Sequence, residues 1–317
     1  MIGQDLLLAQ TLLEKGEVVA IPTETVYGLA GNACDENAVL KIFEIKNRPH
    51  FDPLIVHFGN MEQLKNYVLE IPEKAQQLMD LFWPGPLTIL LHKNDKIAFL
   101  ITSGSDKMAV RIPNHPLTLQ LLNQLNFPLA APSANPFGYI SPTKAKHVEK
   151  QLGDKIPYII DGGSCEVGLE STIIDCTVLP FKILRLGGLS IETIEKGINE
   201  KVDFHLTQNS NPAAPGQLDK HYSPRTPFKL VEDFKPIISQ NQHKSIAFIT
   251  FGQAQVDNFP FINLSQNGDI NEAAKHLFDT MRILDEQKHD VIYAQLLPET
   301  GLGKAINDRL RRAAAKG

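Results

Sequence analysis

The spacing of apolar residues predicts a chain of alternating helices and strands. Apolar residues three or four positions apart predict a first helix over 3–15 that ends at Gly16. Short apolar runs typical of buried strands follow at 18–21, 54–58, 87–91, 108–112, 158–160, 172–175 and 182–186. Helical spacing recurs after Asp35 and at 61–69, 72–82, 116–125 and 143–152. This order predicts an α/β fold with a twisted mixed sheet and flanking helices.

The pattern stops over 206–227, where the sequence reads LTQNSNPAAPGQLDKHYSPRTP. The segment contains four prolines and has neither a helical nor a strand period, so it predicts a semi-rigid linker. Beyond it, strands are predicted at 245–251, 261–264 and 291–297, and helices at 269–287 and 303–315. We therefore expect a larger domain over 1–205, the linker, and a smaller Rossmann-like α/β domain over 228–317.

Composition narrows the class of protein. A chain of 317 residues exceeds the usual size of one core, which agrees with two domains. Its net charge of −5, from 31 basic and 36 acidic residues, argues against a general polyanion binder. Cys34, Cys165 and Cys176 lie in no metal-binding spacing, and no apolar run is long enough to cross a bilayer. We expect a cytoplasmic protein with no membrane contact.

The stretch AAPSANPFGYISPT, at 130–143, has two interpretations. In the first, Ser141 caps a helix whose first residue is Pro142 and which ends at Gly153. In the second, the N-terminus of that helix faces an anion, with Ser133 and Asn135 as additional donors. The stretch alone favours the first interpretation, because capped turns are far commoner than phosphate sites.

Several cations lie where helices or strands end. Lys46 and Arg48 precede Pro49, which ends a helix, so they either complement its dipole or face an anion. Arg111 and Arg185 interrupt apolar strands, where each must be in an internal salt bridge or face a ligand. Candidate polar partners at strand ends are Thr23, Thr25, His57, Ser171 and Thr172.

The chain lacks the usual signatures of nucleotide binding and of covalent catalysis. In GGSCEVGLEST, at 162–172, Leu169 and Glu170 stand where a P-loop needs Lys and Ser or Thr. GLGKA, at 301–305, lacks the third glycine of a dinucleotide fingerprint, and no triad or HExxH motif is present. Cations and hydroxyls without an evident nucleophile favour phosphoryl or nucleotidyl transfer, which relies on positioning and charge stabilisation.

Six stretches in order resemble one family. They are IPTETVYGLAGNA (21–33), IFEIKNRPHFDPLIVH (42–57), FWPGPLTILL (82–91), AVRIPNHP (109–116), APSANPFGYISPT (131–143) and GLESTIID (168–175). Together they resemble the threonylcarbamoyl-AMP synthase family, whose main domain is called YrdC-like. APGQLDKHYSPRTP (214–227) and GLGKAINDRLRRAA (301–314) resemble its two-domain members.

The resemblance implies that L-threonine, bicarbonate and ATP give threonylcarbamoyl-AMP and pyrophosphate, with Mg²⁺ accompanying ATP. A separate complex would then use the product to modify the adenosine beside the anticodon of tRNA, and weak direct contact with tRNA is part of this expectation. The residues implied as catalytic are Lys46 and Arg48. Those implied at the nucleotide are Arg48, Asp52, Lys107, Ser133, Asn135, Ser141, Arg185 and Tyr222. Those implied at threonine are Thr25, His57, Arg111, Ala131 and Ser171.

The resemblance also implies that the linker, with His221 and Tyr222, covers the active site. Two positions depart from the family pattern. Asp52 stands where members often have Asn, and Phe137 stands where they often have a small polar residue.

Two rival functions have some support. Lys144, Lys146 and His147, with Arg309, Arg311 and Arg312, suggest an RNA-binding module without catalysis. These clusters are short, and no aromatic residues are interleaved with them. Carbamoyl transfer in hydrogenase maturation would need acylphosphatase-like and zinc-finger segments, which the chain lacks.

Overall fold

The structure is a computed structural model, and it describes residues 1–204, 221–240, 244–254, 256 and 258–315. Strands in the first part are β1 Ile2–Gly3, β2 Val19–Ile21, β3 Gly28–Asn32, β4 Ile55–His57, β5 Leu87–His92, β6 Lys107–Arg111, β7 Leu129–Ala130, β8 Tyr158–Ile160, β9 Thr172–Asp175, β10 Lys182–Arg185 and β11 Asp203–Phe204. Its helices are α1 Leu6–Glu14, α2 Glu36–Lys46, α3 Met61–Lys65, α4 Glu73–Phe82, α5 Pro116–Gln124, α6 Ala145–Leu152 and α7 Ile191–Ile198. A 3₁₀ turn covers Phe99–Thr102.

The second part begins at Phe228. Its strands are β12 Phe228–Leu230, β13 Ile246–Thr250, β14 Phe261–Asn263 and β15 Val291–Ala294. Its helices are α8 Lys235–Gln240, α9 Ile270–Glu286 and α10 Gly303–Ala314.

The strands of the first part form one mixed sheet, in the order β1-β8-β2-β3-β7-β4-β6-β5-β9-β10-β11. The sheet contains parallel pairs, such as β4 with β6, and antiparallel pairs, such as β5 with β6. The second sheet has the order β12-β15-β13-β14, and its pairs are parallel. The prediction of an α/β fold with a mixed sheet is therefore confirmed.

Some boundaries differ from those that the sequence predicts. The first helix begins at Leu6, where the Asp5 side chain accepts a hydrogen bond from the Leu8 amide, and Ile2–Gly3 instead pairs with β8. The helix predicted over 61–69 ends at Lys65. Strand β3 was not predicted, because Gly28–Asn32 lacks the apolar alternation of a typical strand.

The predicted start of helix α6 was wrong. The helix begins at Ala145, and Lys144, at its N-cap position, makes no capping hydrogen bond. The Pro142 carbonyl accepts instead from the Tyr27 amide, and the Ser141 hydroxyl donates to Glu170. The helix therefore begins three residues later than predicted, because the backbone at Pro142 is bonded across to the turn before β3. Gly153 does follow the helix, at its C-cap position.

The two parts pack closely against each other along α6 and α9. Lys144 Nζ lies 2.8 Å from Asp279 Oδ2, and Lys150 Nζ lies 2.7 Å from Glu286 Oε2. The side chain of Arg282, on α9, donates to the carbonyls of Ile140 and Ser141. The domain boundaries at 1–205, 206–227 and 228–317 stay predictions, and 206–220 of the linker lies outside the described residues. No helix in the described part of the chain is long and apolar enough to cross a membrane.

Candidate active site

A pocket opens where the turn after β2 meets the ends of β4 and β6 and the start of β9. The space between its walls, including the open mouth, measures about 560 Å³. The lining residues are Thr23, Thr25, Val26, Gly28, Arg48, Ile55, His57, Arg111, Ala131, Pro132, Ser133, Glu170, Ser171, Arg185, His221 and Tyr222. Sequence-distant segments therefore supply one concave, polar surface.

The residues predicted for threonine all line this pocket. Thr25, His57, Arg111, Ala131 and Ser171 come from different strands and turns, and the fold brings them together. Parallel pairing of β4 with β6 sets His57 beside Arg111 in register. Of the residues predicted for the nucleotide, the lining includes Arg48, Ser133, Arg185 and Tyr222.

Arg111 makes an internal salt bridge and also lines the pocket. Both alternatives that the sequence leaves open are therefore true of this residue. Its Nη2 atom lies 2.7 Å from Glu24 Oε1, and its Nε atom donates to the Gly85 carbonyl at 3.0 Å. These contacts fix a buried guanidinium in one orientation at the pocket wall. A guanidinium held in this way is suited to bind a carboxylate through two hydrogen bonds.

Arg185 is held by the strand beside it. Its Nε and Nη2 atoms donate to the Ser171 carbonyl at 3.1 and 2.8 Å, and Nη2 also donates to the Ser171 hydroxyl. Burial lowers the pKa of Arg185 to about 10, so the side chain stays charged at neutral pH. The fold therefore places a second fixed cation next to Ser171.

Arg48 is the third arginine of the pocket. Its Nε atom donates to the Asp52 carbonyl at 3.1 Å, and its Nη2 atom donates to the Pro53 carbonyl at 2.8 Å. Asp52 is buried, and its Oδ2 atom lies 2.9 Å from Nη2. Burial raises the pKa of Asp52, while Arg48 and Lys46 oppose that shift. Asp52 thus holds Arg48 in place and does not itself line the pocket.

Lys46 has a different environment from Arg48. Its ammonium group is buried and donates to the carbonyls of Ser133 and Asn135, each at 2.5 Å. Its own carbonyl accepts from the Phe137 amide at 2.8 Å. Burial lowers the pKa of Lys46 well below its ordinary value, and Arg48 adds to this effect. Lys46 therefore anchors the segment 133–137 from behind and does not line the pocket.

The same segment shows what Asn135 and Phe137 do. The Asn135 amide donates to the carbonyls of Pro136 and Tyr139 at 2.9 Å, so it fixes the loop and does not line the pocket. The Phe137 ring lies 6.0 Å from the Arg48 guanidinium and contacts the His221 ring edge-on at 6.0 Å. The sequence alone does not explain Phe137. In the structure its ring packs between Arg48 and His221.

Two further residues predicted for the nucleotide lie outside the pocket lining. Ser141 is buried and donates to Glu170 Oε1 at 2.5 Å, so it contacts the wall from behind. The Lys107 side chain lies 3.3 Å from Asp175 and lines a separate cavity beside the 3₁₀ turn, with Phe51, Ser103 and Ser105.

Two buried histidines face the pocket. Burial lowers the pKa of His57 to about 3, and Arg111 adds to the shift. Burial likewise lowers the pKa of His221 far below its ordinary value, with Arg48 as the next cause. Both rings are therefore neutral at pH 7, and the Nδ1 atoms of both have no hydrogen-bond partner within the described residues. Each can accept or donate one hydrogen bond to a ligand.

Sequence reasoning missed the two acids of the site, Glu24 and Glu170. Glu24 pairs with Arg111, and Glu170 lines the pocket directly before Ser171. Glu24 stands between Thr23 and Thr25, and Glu170 stands directly before Ser171, so each is next to a hydroxyl residue that was a site candidate. That arrangement was the available signal, because a buried arginine needs a carboxylate nearby.

Comparison with known proteins assigns the family. A family model described as "Telomere recombination" matches residues 11–187, and one described as "Threonylcarbamoyl-AMP synthase, C-terminal domain" matches 189–315. A threonylcarbamoyl-AMP synthase from Pyrococcus abyssi is 41% identical, over 97% of this chain and 93% of its own length. One from Bacillus subtilis is also 41% identical, over 96% and 92%. The crystal structure of P. abyssi Sua5 with L-threonine superposes with a TM-score of 0.93 at 40% identity, covering 99% of this chain and 97% of that one. This chain belongs to the threonylcarbamoyl-AMP synthase family.

Proposed function

We propose that the pocket described above is where this chain makes threonylcarbamoyl-AMP, with threonine on the Arg111 side and ATP on the side of Arg48 and Arg185. The chain is a nucleotidyltransferase-type enzyme that uses L-threonine, bicarbonate and ATP and releases pyrophosphate. The observation that carries the assignment of the pocket is its lining. Three buried arginines from separate elements converge there with hydroxyl groups and neutral histidines.

The threonine side is supported by the chemistry of its lining. Arg111 offers two donors to a carboxylate, and the hydroxyls of Thr25 and Ser171 offer partners to a side-chain hydroxyl. The Thr25 hydroxyl contacts that of Thr23, and the Ser171 hydroxyl contacts Thr88 and Arg185, which sets their positions. The neutral ring of His57 leaves one nitrogen for the amino or carbamate group. The threonine complex of the P. abyssi relative gives independent support.

The nucleotide side is supported by its charge. The carbamate oxygen attacks the α-phosphorus and pyrophosphate leaves, so negative charge must be stabilised throughout. Arg48 and Arg185 are fixed cations at the pocket wall, and Ser133 adds a hydroxyl. No residue is required as a base once the carbamate is an anion. Lys46 and Asn135 act through the backbone of the Ser133 loop in this proposal, and Lys107 and Ser141 contribute from outside the lining.

Mg²⁺ is part of the proposal as a companion of ATP. This ion commonly keeps several waters and binds through substrate phosphates, so it needs no cage of protein ligands. No group of three or more acidic, histidine or cysteine side chains that could hold a metal occurs within the described ranges. Bound Mg²⁺ would offset charge on the phosphates, and Asp52 is held by Arg48 rather than offered to a metal.

The linker and the partners complete the proposal. His221 and Tyr222 line the pocket, which supports a linker over 206–227 that covers the site and slows hydrolysis of the mixed anhydride. A separate complex would take the product to tRNA, which agrees with a location in the cytoplasm. Three residues of the clusters that suggested an RNA-binding module have internal contacts instead: Lys144 and His147 contact Asp279, and Arg309 is fully buried.

Ligand discrimination tests the assignment of the threonine side. Binding to the wild-type chain is measured by calorimetry with L-threonine, L-valine and L-serine. A pocket that bonds the hydroxyl rejects valine, which has the same shape, strongly. Equal affinity for threonine and valine would contradict the roles of Thr25 and Ser171.

A further inference from the structure

Arg309, on the last helix of the second part, is fully buried and reaches the wall of the pocket. Its Nε atom lies 3.1 Å from Glu170 Oε2, and its Nη1 atom lies 2.7 Å from Asp308 Oδ2. Its Nη2 atom donates to the Leu186 carbonyl at 2.7 Å, directly after Arg185 in the chain. The second part of the molecule therefore contacts two segments that line the pocket.

Glu170 is the carboxylate that Arg309 holds. Among the described residues that line the pocket, Glu170 is the one acidic residue, and it lies there with Arg48, Arg111 and Arg185. Its Oε1 atom accepts from Ser141, and its Oε2 atom faces Arg309. Both oxygens are thus bonded to groups that do not line the pocket.

The ring of Tyr222 covers the other side of Arg309. The guanidinium carbon lies 4.9 Å from the ring centre, and the ring also stacks on Phe278, of α9, at 5.5 Å. Burial alone would lower the pKa of Arg309, but Tyr222, Glu170 and Asp308 raise it overall above its ordinary value. The arginine is therefore a permanent cation within this cluster.

An unpaired Glu170 would harm an anion site. In a buried environment, a carboxylate without its partner is drawn to the nearest cations and repels incoming phosphates. Arg185 is close to it in the fold, since its side chain bonds the Ser171 carbonyl. Loss of the cation behind Glu170 would therefore weaken the binding of a polyanion at Arg185.

We propose that Arg309 is a positioning residue of the nucleotide side, which neutralises Glu170 and holds its carboxylate in place beside the arginines of the pocket. The C-terminal part thereby completes the pocket for a nucleoside triphosphate without touching it. The inference relies on the proposed function for the identity of the ligand.

The test compares Arg309→Met with the double variant Arg309→Met/Glu170→Gln, both in the full chain. Arg309→Met should raise the KM for ATP on the order of tenfold or more, with a smaller change in the KM for threonine. The double variant has no unpaired Glu170 charge, Asp308 keeps its contact with Arg312, and glutamine still accepts from Ser141. It should recover most of the lost affinity for ATP. Arg309→Lys, which keeps the charge, should lie closer to wild type than Arg309→Met.

Lys304→Met is the matched control. Lys304 lies on the same helix and also joins the two parts, through a contact of 2.5 Å to Glu192 that is partly exposed. Exposed ion pairs contribute little to stability, so the KM of Lys304→Met for ATP should equal that of wild type.

Three outcomes would overturn the proposal. They are an unchanged KM for ATP in folded Arg309→Met, a folded double variant with no recovery, and failure of all three Arg309 variants to fold. If the wild type forms no pyrophosphate, the proposed function fails instead. Calorimetry with inorganic pyrophosphate, on wild type and Arg309→Met, then still tests whether Arg309 supports anion binding.

Discussion

Lys46 and Arg48 lie two residues apart, yet they face different surroundings. The Arg48 guanidinium lines the pocket, whereas the Lys46 ammonium is bonded to the carbonyls of Ser133 and Asn135. The sequence gives the two residues the same role because both are cations at a helix end. The difference arises from a loop almost ninety residues later, which the local sequence does not reveal.

We expect Lys46→Met to destabilise the fold as well as reduce activity. Methionine fills the space but leaves two buried carbonyls without a donor, which lowers the free energy of unfolding by about 1–3 kcal/mol. Amide exchange in 133–137 should also become faster. Denaturant unfolding and hydrogen exchange measure the two effects. A loss of activity with unchanged stability and exchange would show that Lys46 acts on the substrate directly.

His57 makes the stability of the protein depend on pH. The unfolded chain protonates this residue near pH 6.5, whereas the folded chain keeps it neutral down to about pH 3. Between these values the unfolded state binds more protons, so stability is fully present above the unfolded pKa and falls on acidification. The contribution of this one group should be about 2 kcal/mol smaller at pH 5 than at pH 8. Urea unfolding of wild type and His57→Gln at both pH values measures it, and equal losses in the two proteins would refute the assignment.

At the scale of elements, the sequence predicts most of the longer strands and helices, but it does not predict α7, α8 or the short strands β1, β7, β11 and β12. It fails at β3, whose residues Gly28–Asn32 lie in the middle of the large sheet between β2 and β7. A glycine-rich segment gains its strand conformation from its neighbours rather than from its own side chains. A Cβ atom at Gly28 would lie 3.2 Å from the Ala131 Cβ atom, so the small residue keeps the Ser133 loop close to β3.

Gly187, just after β10, controls the wall of the pocket. A Cβ atom there would overlap the backbone of Glu170, Ser171 and Thr172. Gly187→Ala should push this segment away, destabilise the protein by about 1–3 kcal/mol and raise the KM for threonine. Thermal unfolding and steady-state kinetics measure both effects.

Gly252→Ala is the control for that change. Gly252 has a φ of +66° and open space around it, so alanine there adds only left-handed strain of about 1–2 kcal/mol. It should leave the KM for threonine unchanged. If the two variants have the same kinetics, the proposed contact at Gly187 is wrong.

At the scale of the whole molecule, composition and periodicity predict two α/β parts, and two separate sheets are found. What the sequence does not predict is how they pack, because each contact joins residues far apart in the chain. Arg282 bonds the carbonyls of Ile140 and Ser141, and Arg309 bonds Glu170 and Leu186. The position of an arginine in an amphipathic helix does not predict which buried carboxylate or carbonyl group its side chain will bond.

The site follows the same rule. The residues predicted at threonine line one pocket, because each lies at or near one end of a strand and these strand ends meet there. Ser141 and Asn135 are predicted at the nucleotide and Lys46 is predicted as catalytic, but in the structure their side chains bond Glu170 or backbone carbonyls and do not line the pocket. Proximity to a site can be predicted from a motif, but the direction of a side chain depends on tertiary contacts.

The most direct test of the central claim is pyrophosphate release by the purified full-length chain with ATP and Mg²⁺. The account predicts release only when L-threonine and bicarbonate are both present, together with a product whose mass is that of threonylcarbamoyl-AMP. Release that continues without threonine or without bicarbonate, or no release with all substrates present, would contradict it.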